Sequence, residues 1–162
     1  MPLKIISSNV GDADLALFAP RLAGFVDTMQ KAGLAVAPKL LVPSRFGGQM
    51  AGEPTRKLLQ MPLPPTAIIG ANDSIALAAL DAAQSLGVKV PSELSIIGFD
   101  DDMRPGQSTP ALTTVRQPLF EIGVAAAEIL VQLIGGNHNE NQCRLLTPKL
   151  ILRGTTCVAQ RH

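Results

Sequence analysis

The sequence has no Trp and no Tyr, only five Phe, and two each of His and Cys in 162 residues. With so few rings, the base-stacking platforms of a single-strand binder are missing. Lys and Arg number 14 against 13 Asp and Glu, a net charge of +1, so there is no basic excess to neutralise a phosphate backbone. Cys143 and Cys157 lack CxxC or zinc-ligand spacing and read as reduced thiols of a cytoplasmic protein. His138 and His162 lie in polar stretches, which leaves His-dependent catalysis and His-rich metal sites poorly supplied. No apolar run approaches the ~18 residues of a membrane span, and no basic-then-apolar leader suggests export. G-x-G-x-x-G, G-x-x-x-x-G-K-[ST] and G-x-S-x-G are all absent, so the nucleotide-cradle and hydrolase signatures are missing. No cofactor is expected.

What is present fits one globular domain: 46% hydrophobic residues in a chain near the usual ~100–200-residue domain size. Strands are expected at 3–8, 39–43, 67–71 and 94–99, the first and last of them buried. Residues 9–14 read as a turn-rich loop. Pro20 suits the first turn of a helix, and Leu22, Phe25, Val26 and Met29 give that helix an apolar face. Gly33 is a natural stop. A second helix starts near Glu53 or Pro54, since a proline inside a helix costs ~3 kcal/mol. Asn72 or Asp73 caps an Ala/Leu-rich helix that Gly87 ends. A long helix follows Pro118 to about Ile134, and 144–153 is extended. This alternation predicts an α/β fold with a mostly parallel sheet. Ligands in such folds bind beyond the carboxyl ends of the strands. That rule singles out the helix after the first strand, Asn72-Asp73, and Asp100-Asp101-Asp102.

Each candidate has a plainer reading beside it. The Asp100–Asp102 cluster could hold a hard cation, accept two hydroxyls from a polyol, or be a solvated turn. Asn72 is a helix cap or a bifunctional amide for a ligand. Arg21, placed in a first helical turn, opposes the macrodipole there, so helix stability does not explain it. A forked donor aimed at the strand ends would. Phe99 belongs to the core. Phe46, between Arg45 and Gly47-Gly48, could lie as an apolar lid over a sugar or base ring.

Three consecutive stretches, Pro65-Thr66-Ala67-Ile68-Ile69-Gly70-Ala71-Asn72-Asp73, Val90-Pro91-Ser92-Glu93-Leu94-Ser95-Ile96-Ile97-Gly98-Phe99-Asp100-Asp101 and Pro110-Ala111-Leu112-Thr113-Thr114-Val115-Arg116-Gln117-Pro118, carry a resemblance. Upstream stands Arg21-Leu22-Ala23-Gly24-Phe25. In this order and spacing the chain resembles the effector-binding domain of the lactose/galactose-repressor (LacI/GalR) family over nearly its whole length. The resemblance implies a three-layer, periplasmic-binding-protein-like lobe, with a crossover helix and strands from an otherwise absent first lobe. It divides the chain into a C-terminal lobe (1–114), a crossover segment and helix (115–141), and a return strand and tail (142–162), without the DNA-binding head. It matches Arg21, Asn72 and Asp100 to polar effector contacts, Phe46 to an aromatic contact and Gln117 to a position near a crossover. Pro54 departs from the family's helix after the Phe46 loop.

The function implied is binding of a sugar-like or nucleoside-like effector within a transcriptional regulator, with DNA reached only through the missing head. Ile122, Ala126, Ile129 and Leu133 form a stripe that would pack on the absent lobe. Here it must fold back, swap or bury itself in a homo-oligomer. Two other readings stand: an assembly module without effector binding, and a Mg²⁺-dependent enzyme built on Asp100, Asp101 and Asp102.

Overall fold

The computed structural model describes residues 3–8, 11–34, 36, 41–44, 51–102, 106–136 and 143–158. The elements run β1 (Leu3–Ser8), α1 (Gly11–Lys31), β2 (Leu41–Ser44), α2 (Gly52–Leu59), β3 (Ala67–Gly70), α3 (Asp73–Ser85), β4 (Ser95–Ile97), β5 (Thr114–Arg116), α4 (Leu119–Ile134) and β6 (Lys149–Ile151). The first four strands form a wholly parallel sheet in the order β2-β1-β3-β4, and β5 and β6 form a separate antiparallel pair. This is the expected α/β class with its mostly parallel sheet.

Local chemistry explains most boundaries. Asn72 is extended and its side chain accepts the Ile75 amide at 2.9 Å, capping α3. Gly87, at φ +73°, takes the left-handed conformation just past the end of α3. Ile75, Ala76, Ala79, Leu80 and Ala83 of α3 are buried against Ile68 of β3, Ile96 of β4, Leu58 of α2, and Leu94 and Leu112. Gly70 permits this closeness, because a Cβ there would lie 2.7 Å from the Ala76 backbone nitrogen. The core thus lies where α2 and α3 pack on β3 and β4.

Two expectations fail at the start of the chain. Residues 9–14 do not form a continuous loop, because α1 already begins at Gly11. Pro20 lies inside this 21-residue helix rather than in its first turn. The helix absorbs the ~3 kcal/mol of an interior proline, so Arg21 is a mid-helix residue and the macrodipole argument does not apply to it.

Beyond β4 the chain is woven. Thr113 bridges Ile97 and Arg116 bridges Asp100, both in parallel sense, while β5 pairs antiparallel with β6. Thr155, fully buried, donates its hydroxyl to the Ile96 carbonyl at 2.7 Å and accepts the Thr113 amide at 2.8 Å. Its own carbonyl accepts the Ile96 amide at 2.8 Å. One hydroxyl therefore satisfies backbone groups on two different segments.

Helix α4 stands apart from this core. Ala125 is its one buried residue among those described, Ile129 is half-buried, and Ile122, Ala126 and Leu133 are exposed, as are Leu119, Phe120, Leu130, Val131 and Ile134. The apolar stripe does not fold back onto the chain.

Thr155→Val keeps the shape but leaves the Ile96 carbonyl and the Thr113 amide each short of a buried partner, at roughly 1–3 kcal/mol apiece. A urea unfolding curve is expected to show a loss of about 2–6 kcal/mol; an unchanged midpoint would show that Thr155 is not needed for the weave.

Candidate functional site

Three of the singled-out side chains converge where the strands end. Arg21, from the middle of α1, donates Nη1 to the Ala71 carbonyl at 2.6 Å and Nη2 to Asp100 Oδ1 at 3.3 Å. Its guanidinium lies 3.7 Å from the centroid of the Phe99 ring, close enough for a cation–π contact. Gln117 donates Nε2 to the same Asp100 oxygen at 2.7 Å. The chain thus brings a cation, an amide and a carboxylate together across separations of up to 79 residues.

Asn72 adjoins the Ala71 carbonyl that Arg21 holds. Its oxygen is engaged in the cap of α3, so the amide NH₂ is the part that the cap leaves over for a ligand. Phe99 is half-buried under the Arg21 guanidinium and belongs to the floor of this cluster rather than to the core. Phe46 lies outside the described residues.

Asp100 and Asp101 turn the chain here through two positive φ angles, 112° and 57°. Neither is glycine, and such conformations cost of order 1–3 kcal/mol each. The turn presents the two carboxylates to different partners. Asp100 meets Arg21 and Gln117, while its amide bonds the Val115 carbonyl at 2.9 Å. Asp101, with a side chain 3% exposed, accepts Arg116 Nε at 2.5 Å and Arg153 Nη2 at 2.7 Å. Arg153 also donates Nη1 to the Leu112 carbonyl at 2.9 Å. Asp102 is exposed. Among the described residues, no group of three His, Cys, Asp or Glu is placed to hold a metal ion.

Desolvation alone would raise the Asp101 carboxyl, but the hydrogen bonds and charges of Arg153 and Arg116 together outweigh it and hold it below the usual carboxylate range. Asp73 is the opposite case. It is buried at the start of α3, and its Oδ1 accepts the Thr114 hydroxyl at 2.5 Å while Oδ2 has no partner. Burial pushes its carboxyl up, the Thr114 hydroxyl and the Asp101 backbone pull it down, and the charges of Asp102 and Asp100 push it up further. Gly98 makes room for it, since a Cβ there would lie 2.2 Å from Asp73 Oδ1.

Sequence reasoning named Asp73 and Asp101, within Asn72-Asp73 and the acidic run, but not their partners, and it missed Arg153 and Thr155. Asp73 was legible only as an alternative cap. Arg153 lies 52 residues from Asp101, and no local pattern announces their pairing.

These shifts give opposite pH signatures. The folded Asp73 holds its proton above the unfolded value of 3.8, so it costs stability as pH rises from there through its folded value and beyond. Asp101 contributes stability above 3.8 that is lost as pH falls through its lower folded value. Relative to the wild type, Asp73→Asn is expected to do better at about pH 7 than at about pH 3, and Asp101→Asn worse. Urea midpoints at the two pH values check both signs.

The chain matches the model of the periplasmic binding protein-like domain over residues 5–156. It is 37% identical over 153 residues to the HTH-type transcriptional repressor CytR of Escherichia coli K12, covering 94% of this chain and 45% of that protein. A regulatory protein of the LacI family from Chloroflexus aggregans superposes with a TM-score of 0.85 at 30% identity, over 96% of this chain and 55% of that one. The transcriptional regulator CelR in complex with cellobiose superposes at 0.82 and 26% identity, over 94% of this chain and 46% of that one. The chain spans about half the length of the curated relatives it matches. The order of motifs, the parallel sheet with woven strands and these likenesses agree: the chain belongs to the periplasmic binding protein-like domain family, in the form carried by LacI-family transcriptional regulators.

Proposed function

We propose that this chain is the effector-binding and oligomerising portion of a LacI/GalR-type regulator, and that Arg21, Asn72, Asp100 and Gln117 contact the effector. The observation that carries the reading is the convergence of Arg21 and Gln117 on one oxygen of Asp100, beyond the carboxyl ends of β3 and β4. A guanidinium fork, a carboxylate and amide groups are the donors and acceptors that a hydroxyl-rich ligand needs. A sugar-like or nucleoside-like molecule fits that chemistry. The cellobiose complex of CelR supports the sugar class. Phe46 is proposed as the aromatic contact on sequence grounds.

The partition follows the same reading: 1–114 as the C-terminal lobe, 115–141 as crossover and helix, 142–162 as return strand and tail. The matched relatives are transcriptional regulators, so a non-enzymatic, cytoplasmic role is proposed here too. No helix among the described residues is long and apolar enough to cross a membrane. DNA binding is proposed for the whole protein and not for this portion. Lobe closure on the effector would shift the equilibrium between DNA-competent states by its differential affinity for them.

The Arg21 and Asp100 side chains are 26% and 30% exposed, as expected of one wall of a cleft. Specific pockets usually bury most of a ligand's surface. Calorimetric titration of this chain with cellobiose, ribose or a nucleoside is expected to give affinity no tighter than ~1 mM, about 4 kcal/mol, and Asp100→Asn to remove it. Micromolar binding would overturn the one-walled site.

The exposed face of α4 supports a homo-oligomer, because soluble monomers rarely leave large contiguous apolar patches in water. Light scattering is expected to show a dimer or larger, and a clean monomer at high concentration would refute it.

A further inference from the structure

We propose that Asp101 is a positioning residue for the site. Held between Arg116 and Arg153, it fixes the left-handed turn that aims Asp100 at Arg21 and Gln117. It thereby ties the site to the strands at 111–116 and 149–153. The inference rests on the reading of Asp100 as an effector contact and deepens it.

Asp100 and Asp101 share one strained turn, with φ values of 112° and 57°. Such a turn relaxes unless its surroundings over-determine it. Two things hold it on the crossover side. The Asp100 amide is bonded to the Val115 carbonyl. The Asp101 carboxylate is bonded through both oxygens, Oδ2 to Arg116 and Oδ1 to Arg153. Arg153 is anchored in turn on the Leu112 carbonyl, and its own amide donates to Thr113 Oγ1 at 2.9 Å. Asp101 is thus fastened to two chain segments, one at Arg116 and one at Arg153. Arg21 and Gln117 both bond the neighbouring Asp100, and it is through Asp100 that Asp101 would act on them.

The same arrangement repeats one strand over. Asn72, the candidate contact, is followed by Asp73, whose carboxylate holds Thr114 of β5. In both places a residue facing the site is followed by an aspartate facing the crossover strands. Asp101 is the better test of the pair. Its partners are two cations and it is held through both oxygens, whereas Asp73 has one oxygen unpaired.

The experiment records the side-chain ¹H–¹⁵N signals of Arg21 Nε and Gln117 Nε2 in the labelled 162-residue chain. Wild type, Asp100→Asn, Asp101→Asn and Arg153→Lys are compared. Arg153→Lys keeps the charge but loses the fork that spans Leu112 and Asp101, so a shift there is not the field effect of a removed charge. The expected result is that both Asp101→Asn and Arg153→Lys move the Arg21 and Gln117 signals toward their Asp100→Asn positions. Backbone amides of Ala79 and Leu80 in the core should stay in place. Arg21 and Gln117 signals that stay at wild-type positions in a folded variant, with only stability lost, would overturn the proposal. Should Asp101→Asn fail to fold, Arg153→Lys decides by the same criterion. The readout contains no ligand. A failure to bind any sugar or nucleoside would sink the effector reading and leave this result standing, and unmoved signals would sink the positioning role and leave the effector reading standing.

Discussion

The seam beside β4 is the constraint on which the rest depends. The parallel sheet β2-β1-β3-β4 would otherwise end in an open edge, with the Ile96 and Gly98 amides unpaired. Two segments distant in sequence close that edge. Thr155 bonds Ile96 in both directions, and the Thr113 carbonyl accepts the Gly98 amide at 2.9 Å. A buried backbone group left unpaired costs about as much as a lost hydrogen bond, so both segments must lie in register. That register sets the position of Gln117, one residue past β5, beside Asp100. Geometry at the site is therefore a consequence of how the edge is covered.

Close approach makes the seam specific. Gly98 is the point where a buried carboxylate from α3 and Leu112 from the neighbouring segment press on one Cα. Gly154 does the same on the other segment, where a Cβ would lie 2.9 Å from Pro110. A side chain at either place would push the segments apart and misalign the ladder. Asp73 is retained in this crowded spot although its burial is unfavourable. It joins the start of α3 to β5.

Much of this fold was legible because the chemistry of each boundary is local. Pro64-Pro65, the Asn72 cap and Gly87 mark the ends of β3 and α3 without reference to anything distant. The same logic failed at Pro20. A proline at the start of a helix is far commoner than one inside it, and nothing within a few residues shows that α1 continues through. Arg21, Asn72 and Asp100 were singled out by strand-end geometry together with family motifs and Gln117 by a motif alone, whereas the pairing of Asp101 with Arg153 was not legible. Whether an aspartate in a run of three faces the site or the crossover depends on the sign of its φ and on an arginine 52 residues away. Neither leaves a periodic trace.

The acidic run itself shows why residue type alone is a poor guide to chemistry. Three consecutive aspartates could suit a hard cation, which wants several oxygens on one centre. Here the turn sends the first two side chains to different partners. One carboxylate faces a guanidinium and an amide, the next is shared by two guanidiniums, and the third lies in solvent. A divalent cation would have to displace positive groups from both inner carboxylates and unwind the turn. Binding a neutral polyol asks for less. Hydroxyls can donate to the Asp100 carboxylate and accept from Arg21 or Asn72 while those groups stay where the seam has placed them. The charge pattern therefore favours a neutral, hydroxyl-bearing ligand over a metal ion.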